Sequence, residues 1–334
     1  MQGLLRRRWL PPLSAAWLAL LALRLAASDQ AADVGLWNGA RKGSLPEVKK
    51  YLSQDADPNF YWTDSGDADC DSSDEICGTS VLAAVFGNKA VVLQSLVDAG
   101  ADVNFLNGTM AEGFCEIDSF DYGTVAPLYV AAIKNNSFAV EVLLEADAQP
   151  DIPCGGGVFS PLVIAASRGT KAVLDLLLAA QPDVDTVDEG GAGDTALHGA
   201  LKRVAVFEEQ NEFVEALLAA NACANIPNLL HGDTAVHTAA RSGNLRAVEL
   251  LMGAEGDPMQ RNNAGLTPGD VVCISIKTGE VVEGCDGDKV KALLESQMGE
   301  QADPPAMVDC ENPRDAEDKL RCALQGGADG TTQG

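Results

Sequence analysis

Basic residues are scarce in this sequence. Its 334 residues include 23 Lys and Arg against 49 Asp and Glu, which gives a formal net charge of -26. So acidic a chain repels a phosphate backbone and an anionic membrane surface, because binders of both need clustered Lys and Arg. We therefore expect neither nucleic acid nor a lipid surface as a partner. The partners that its charge still allows are cations and proteins with a basic or apolar surface.

Histidines and catalytic motifs are also scarce. There are three histidines, His198, His231 and His237, and the sequence contains no H-E-x-x-H, G-x-S-x-G or C-x-x-C pattern. Each of these patterns brings a metal, a nucleophile or a redox pair to one place, so their absence removes the usual signals of an active site. Aromatic residues make up 5% of the chain. We predict a protein that is not an enzyme and has no cofactor, unless calcium is one.

The N-terminus has the order of a secretory signal peptide. A basic start is followed by an apolar stretch from Trp9 to Leu25 and by small residues up to Ser28. The sequence therefore predicts a cleaved signal peptide over residues 1–28 and a secreted or luminal protein, with no membrane span in the mature chain. A retained signal anchor and an organelle presequence are the alternatives.

Nine cysteines suit an oxidising compartment. Three local pairs are disulfide candidates, although sequence cannot fix the connectivity: Cys70 with Cys77, Cys273 with Cys285, and Cys310 with Cys322. Two Asn-x-Ser/Thr sequences make Asn107 and Asn135 candidates for glycosylation.

A unit with two apolar stripes at helical spacing recurs along the chain. Gly or Asn stands between the two stripes, where a short turn needs a residue that tolerates positive φ. One unit cannot bury its apolar stripes alone, so the units must stack. The copies lie near residues 33–60, 79–104, 126–151, 160–185, 195–225, 234–259 and 267–298.

The repeated pattern T-P-L-H-x-A-A, followed by G-x-x-x-V-x-x-L-L-x-x-G-A-D-V-N, resembles the ankyrin repeat. The resemblance implies an all-α repeat solenoid of helix pairs, with short β-hairpin fingers at the junctions, and a non-enzymatic protein–protein interaction module or adaptor. In that family the motif Thr and His form hydrogen bonds within and between repeats. Those positions are taken by Thr195 with His198 and by Thr234 with His237, which implies structural roles. Leu82, Tyr129 and Val163 stand in place of the histidine elsewhere.

Two of the junctions are long and acidic, and the first could hold a cation. Between Phe60 and Gly78 it contains six acids and no basic residue, and crowded carboxylates suit Ca²⁺. The order of Trp62, Asp69-Cys70, Ser73-Asp74-Glu75 and Cys77 resembles the calcium-binding half of an LDL-receptor class A module. That resemblance implies Asp69, Asp74 and Glu75 as ligands and a calcium-dependent function. Ser65 in place of a ligand Asp and the lack of four of the six cysteines depart from it, and a solvated acidic loop is the alternative.

Aromatic residues are concentrated in the fingers, which predicts a binding surface with apolar anchors and a charged rim. The alternative is that they fold back over the edge of the stack. The predicted anchors are Phe60, Tyr61, Trp62, Phe105, Phe114, Phe120, Tyr122 and Phe159. Residues 299–334 lack a periodic apolar face and predict an acidic, mostly disordered tail.

Overall fold

The computed structural model describes residues 30–61, 78–105, 115–116, 119–120, 126–151, 160–188, 192–203, 206–274 and 285–297. These residues fall into two compact units. Those up to Asp102 form the first, and those from Val103 onward form the second.

The first unit contains two helix pairs. Helix α1 covers residues 30–42, and α2 (Leu45–Leu52) follows it; α3 (Ser80–Phe86) and α4 (Ala90–Asp98) form the second pair. The turn residues Gly43 and Asn88 have φ of 76° and 55°, the left-handed conformation that glycine and asparagine adopt at least cost. The sequence pattern therefore places the turns where the structure has them.

The second unit contains four further helix pairs and a closing segment. Its elements, in chain order, are β1 (Cys115–Glu116), β2 (Ser119–Phe120), α5 (Pro127–Ile133), α6 (Ser137–Glu145), α7 (Pro161–Arg168), α8 (Lys171–Ala179), α9 (Ala196–Lys202), α10 (Phe207–Ala219), α11 (Ala235–Ser242), α12 (Leu245–Gly253), a 3₁₀ turn (Pro268–Val271) and α13 (Gly287–Gln297).

The helix pairs of the second unit form two layers. The first helices α5, α7, α9 and α11 pack on one another in order, and the second helices α6, α8, α10 and α12 do the same. Paired alanines such as Ala165–Ala166 and Ala239–Ala240 are fully buried between the first helices, where a small side chain lets backbones approach. Large buried leucines fill the space between the layers, among them Leu143, Leu174, Leu197, Leu217 and Leu251. The predicted helical repeat fold is confirmed.

The end of the second unit departs from the repeat. Thr267 begins a last unit, as predicted, but its first helix is a single 3₁₀ turn, against which α13 packs. Cys273 and Cys285 are joined by a disulfide with a Cα–Cα distance of 5.8 Å. This bond ties the 3₁₀ turn to the start of α13. None of the described helices is long and apolar enough to cross a membrane.

β-Hairpins are nearly absent from the described junctions. β1 and β2 pair antiparallel, with Cys115 opposite Phe120 and Glu116 opposite Ser119. The other junctions in the described ranges close through hydrogen-bonded turns instead. The prediction of a β-hairpin at each junction was therefore wrong for those junctions. Neighbouring junctions share single backbone hydrogen bonds, which is too few for a strand ladder.

Candidate functional site

Three fingers of the second unit lie side by side. Finger A covers residues 181–194, finger B residues 220–233 and finger C residues 254–266, with 189–191 of finger A outside the described residues. Each finger is closed by a backbone hydrogen bond of 2.8–2.9 Å whose acceptor is the residue before the next N-cap: Asp188 N to Asp194 O, Asn228 N to Asp233 O, and Asn262 N to Leu266 O. The same closure three times gives three similar loops.

Backbone hydrogen bonds also join each finger to the next. Leu230 N donates to Ala192 O at 3.0 Å, and Asn263 N donates to His231 O at 2.9 Å. Fingers A, B and C therefore form a hydrogen-bonded row, and their tips are held by backbone rather than by side chains alone. This makes the row a preorganised surface.

The finger glycines are required by conformation and by space. Gly193 and Gly232 both have φ of 69°, which a residue with a Cβ rarely adopts. A Cβ on Gly193 would lie 2.2 Å from Cγ of Leu229, and one on Gly232 would lie 2.5 Å from Oδ1 of Asn263. Each glycine thus lets the following finger lie directly against it.

The two buried histidines link first helices to fingers. His198 and His237 are 1% and 0% exposed. Their Nε2 atoms lie 2.8 Å and 3.0 Å from the carbonyl oxygens of Asp233 and Leu266. Because a carbonyl oxygen only accepts, Nε2 carries the proton. Nδ1 then accepts from the backbone N–H of Thr195 or Thr234, at 3.3 Å and 3.2 Å.

Burial lowers the pKa of both imidazoles below the ordinary value. A second proton, on Nδ1, would point at the backbone N–H of Thr195 or Thr234 that now donates to this nitrogen, so the hydrogen bond would be lost and the two hydrogens would repel. All ring nitrogens are therefore engaged in holding the scaffold, and neither ring is available as a base or a metal ligand. Tyr129 takes the equivalent position in an earlier repeat, where burial, followed by the charge of Asp188, raises its pKa to about 12.

Asp233 is the centre of a buried polar network. Its carboxylate accepts from Arg241 Nε at 2.9 Å and from Asn262 Nδ2 at 2.8 Å, and the residue is 1% exposed. Burial by itself raises the pKa of Asp233, but the Arg241 charge and the Asn262 hydrogen bond together hold it below its usual value. The network joins fingers B and C to α11.

Asn and Asp residues at the base of the junctions form a second row. Each accepts a hydrogen bond of 2.7–3.0 Å from a backbone N–H of the following repeat, which satisfies a group that no helix bonds. In the second unit the pairs are Asn104 with Gln149, Asp151 with Asp183, Asp185 with Cys223, and Asn225 with Asp257. In the first unit Asn59 accepts from Asp102 in the same way.

The tip of finger B exposes two large apolar side chains. Leu229 and Leu230 are 62% and 61% exposed, although their backbone is fixed in the finger row. Sequence reasoning missed this pair because it searched the fingers for aromatics. The signal that could have found it is an apolar dipeptide inside the polar loop Asn228 to Asp233.

The predicted aromatic and calcium sites are only partly described. Phe60, Tyr61 and Phe105 are half-buried, and Phe120 lies in β2. Trp62, Phe114, Tyr122 and Phe159 lie outside the described residues, as do the predicted calcium ligands Asp69, Asp74 and Glu75. The structure therefore brings none of these residues together in one described site, and their binding roles stay predictions.

The predicted covalent sites are also described in part. Of the disulfide candidates, Cys273 and Cys285 are bonded, and Cys70, Cys77, Cys310 and Cys322 lie outside the described residues. Asn135 is exposed, and its Oδ1 accepts from Thr170 N at 2.8 Å; Asn107 lies outside the described residues.

Comparison with known proteins identifies the repeat. Residues 162–262 match the family model for ankyrin repeats, with three copies. No curated protein sequence matches the chain.

Three solved structures are similar to it at low sequence identity. The human ASB11 ankyrin repeat domain has 22% identity and a TM-score of 0.53, with 81% of this chain and 99% of that chain covered. The ankyrin repeat domain of Bcl-3, of the IkappaB family, has 19% identity and a TM-score of 0.56, with 78% and 97% covered. An ankyrin repeat domain from Acinetobacter baumannii has 24% identity and a TM-score of 0.53, with 66% and 97% covered.

These comparisons agree with the geometry of the second unit. The helix pairs, the closed fingers and the Thr–His bonds all lie in or next to the matched residues. The protein therefore contains ankyrin repeats over residues 162–262, and its fold is that of an ankyrin repeat domain.

Proposed function

We propose that this protein is a non-enzymatic protein-binding module, and that the tip of finger B anchors the partner. The observation that carries the proposal is the exposure of Leu229 and Leu230, at 62% and 61%, on a loop whose backbone is hydrogen-bonded on both sides. A few apolar anchors held in place by rigid backbone supply most of the free energy of a protein interface. Rigid anchors also lose little conformational entropy on binding.

The charge of the chain indicates the chemistry of the partner. A net charge of -26 repels acidic proteins and attracts basic ones over distances of about a Debye length, roughly 8 Å at physiological salt. A partner with an apolar patch for the two leucines and a basic rim fits both features. The buried histidines support a non-enzymatic role, because their ring nitrogens are occupied by scaffold hydrogen bonds.

The experiment is quantitative capture from the native source with matched variants. Leu229→Ser combined with Leu230→Ser removes the anchors. Val91→Ser is the control, because Val91 is 63% exposed but lies in α4, which is not part of the finger row. Losing two anchors of ~2 kcal/mol each is expected to reduce partner recovery at least tenfold.

Two outcomes decide this test. Proteins retained by wild type and by Val91→Ser, but lost with the double variant, support the proposal. An identical capture profile for all three proteins contradicts it.

We propose further that the protein acts in the secretory lumen or outside the cell. The disulfide between Cys273 and Cys285 supports this, since such bonds persist in oxidising compartments. An organelle-targeted intracellular adaptor and a signal-anchored membrane protein are the alternatives. Alkylation and mass analysis of native protein are expected to show an oxidised Cys273–Cys285 pair, an N-terminus near Ser28 and glycan at Asn107 or Asn135. Nine free thiols on an unmodified chain would point to the intracellular adaptor.

Calcium binding by the acidic finger around residues 64–75 stays a prediction. Titration of the full chain with Ca²⁺, followed through Trp62 fluorescence, tests it. A saturable change below millimolar concentration is the expected result if calcium orders the finger. A flat titration eliminates the calcium-dependent function.

A further inference from the structure

A basic recess lies in the second unit, between the last turns of α7 and α9. It has a volume of about 360 Å³ and is lined by Ser167, Arg168, Lys202 and Arg203. Three cationic side chains thus share one recess in a chain whose net charge is -26. The sequence does not show this cluster, because Arg168 and Lys202 belong to different repeats.

Arg203 is fixed at the base of this recess by the fold. Its Nη1 donates to the carbonyl oxygens of Gly169 at 3.0 Å and Ala166 at 3.4 Å, and its guanidinium lies 4.1 Å from the ring centre of Phe213. Its side chain is 13% exposed. The Nε atom is buried without a hydrogen-bond partner among the described residues. A buried guanidinium N–H without an acceptor is unfavourable, so the hydrogen-bonding capacity of Arg203 is not fully used where it borders the recess.

The acids around the recess do not neutralise all three cations. Lys202 Nζ is paired with Asp194 at 2.6 Å and 2.9 Å, and Arg203 Nη2 lies 4.0 Å from exposed Glu209. Arg168 is exposed and forms no hydrogen bond or ion pair with the part of the chain that the structure describes. Arg168 is therefore the cation of the recess whose charge no described acid neutralises.

We propose that this recess binds a carboxylate group of an acidic side chain on the protein partner, with Arg168 and Arg203 as the donors. A guanidinium is suited to this role, because its planar N–H groups match the two oxygens of a carboxylate. The proposal rests on the proposed protein-binding function and names one further contact of the same partner. That partner is basic and apolar overall, and places one acid in the recess.

The position of the recess relative to the fingers suits a single partner. α9 has seven residues, so it is about 10 Å long, and neighbouring helices lie roughly 8–10 Å apart. The recess is at the C-terminal ends of α7 and α9, whereas finger B precedes α11 at the opposite end. A partner that contacts Leu229 and Leu230 therefore needs to extend about one helix length and two helix spacings, from α11 past α9 to α7, to reach Arg168.

The experiment follows the arginine Nε–Hε signals of the full chain by NMR, with small anions as probes. Glutarate supplies the carboxylate, inorganic phosphate supplies the other common oxyanion, and sodium chloride at matched ionic strength is the reference. We expect a saturable shift of the Arg203 signal with glutarate and none with chloride. Arg168→Gln is expected to weaken glutarate binding at least fivefold, and Arg168→Glu to abolish it. Arg246→Gln, which removes an exposed arginine of α12 outside the recess, is expected to stay within twofold of wild type.

Several results would overturn the proposal. These are no saturable shift with glutarate, the same shift with chloride, or equal affinity in the wild type and in Arg168→Gln with unchanged circular dichroism. Phosphate affinity more than tenfold above that of glutarate would replace the carboxylate with a phosphoryl group and overturn the assignment as stated. Because the probes are small ions, failure here leaves the finger B test intact, and failure of that test leaves anion binding measurable.

Discussion

Two repeats of the second unit carry nearly the same motif in different surroundings. The repeat of α9 reads DTALHGALK from Asp194 to Lys202, and the repeat of α11 reads DTAVHTAAR from Asp233 to Arg241. Both form an ion pair across eight positions, at 2.6 Å and 2.9 Å. The side chains of the first pair are 32% and 18% exposed, and those of the second are 7% and 1% exposed.

The following finger differs between the two repeats. Asn262 donates to Asp233 at 2.8 Å, whereas the equivalent Asn228 donates to Asp194 at 3.2 Å. Finger C also closes tightly, from Asn262 to Leu266, while finger B closes from Asn228 to Asp233, one position further along. The same motif thus forms a buried network in one repeat and a partly solvated pair in the other. The neighbours of a motif set its contribution to the free energy of unfolding.

The largest expected effect comes from breaking the buried pair. Asp233→Ala leaves Arg241 buried without its carboxylate and is expected to lower the free energy of unfolding by about 3–5 kcal/mol. Asp194→Ala, in the more exposed pair, is expected to cost less, about 1–2 kcal/mol, because it removes a partly exposed ion pair and the hydrogen bond from buried Asn228. Urea unfolding of both variants measures the difference. Equal losses would show that burial does not separate the two repeats.

The disulfide contacts the C-terminal end of α11, opposite the end that Asp233 precedes, and removing it tests how much this contact stabilises the repeat. Cys273 N donates to Ala240 O at 3.0 Å, and a Cβ on Gly243 would lie 2.0 Å from Cys285 Sγ, so the bond packs on the C-terminal end of α11. Replacing Cys273 and Cys285 by Ser is expected to lower the free energy of unfolding by about 3 kcal/mol, as for a closed loop of this length. Thermal unfolding of the wild type and of the Ser variant, each with and without reductant, separates the contribution of this bond from that of any other disulfide. A wild-type melting temperature that reductant does not change would contradict it.

The histidines are expected to contribute similarly in the two repeats. His198→Ala or His237→Ala leaves the buried backbone N–H of Thr195 or Thr234 without its acceptor. It also removes one of the two hydrogen bonds that the carbonyl of Asp233 or Leu266 accepts, at a total cost of about 1–3 kcal/mol for each variant. His231→Ala is the matched control, because His231 is half-buried at a finger tip, and a change within about 0.5 kcal/mol is expected. Urea unfolding of the three variants measures these changes. If all three variants change the free energy of unfolding by an equally small amount, the imidazoles have no role in holding the scaffold.

The smallest expected effect is a pH dependence shared by both repeats. Burial lowers the pKa of His198 and His237 in the folded chain, so the unfolded chain takes up these protons first as pH falls. The contribution is fully present above about pH 6.5, the unfolded value, and is progressively lost below it. Urea unfolding between pH 7.5 and 5 is expected to show a decline that His198→Leu with His237→Leu reduces. An unchanged slope in the double variant would contradict this origin.

Much of the fold could be predicted because its information is local. Apolar spacing, buried alanine pairs and left-handed turn residues such as Asn88, Asn135 and Gly243 lie within one repeat. The spacing of Cys273 and Cys285 also made them a candidate pair. The near absence of hairpins from the described junctions was not predictable from the repeat pattern, because strand pairing depends on how each finger lies against its neighbour.

The candidate site was harder to predict, because its members come from different repeats. Aromatic content pointed to Phe60, Tyr61 and Phe105, which the structure shows half-buried. Leu229 and Leu230 are exposed instead because Gly193 lets finger B lie against finger A, while backbone hydrogen bonds hold the loop outward.

The sequence by itself determined the repeat, the positions of the helices and the pairing of Thr195 and Thr234 with the histidines that follow. The repeat and the helices depend on residues within a few positions of one another, so hydrophobic periodicity is sufficient to place them, and the Thr–His pairing is what the resemblance to the ankyrin repeat implies. Only the tertiary structure decided which of the two similar motifs, that of α9 or that of α11, has its ion pair buried. It also decided that Leu229 and Leu230 are exposed, and that Arg168, Lys202 and Arg203 share a recess. Those features depend on the distance between neighbouring repeats, which packing sets and no single repeat contains.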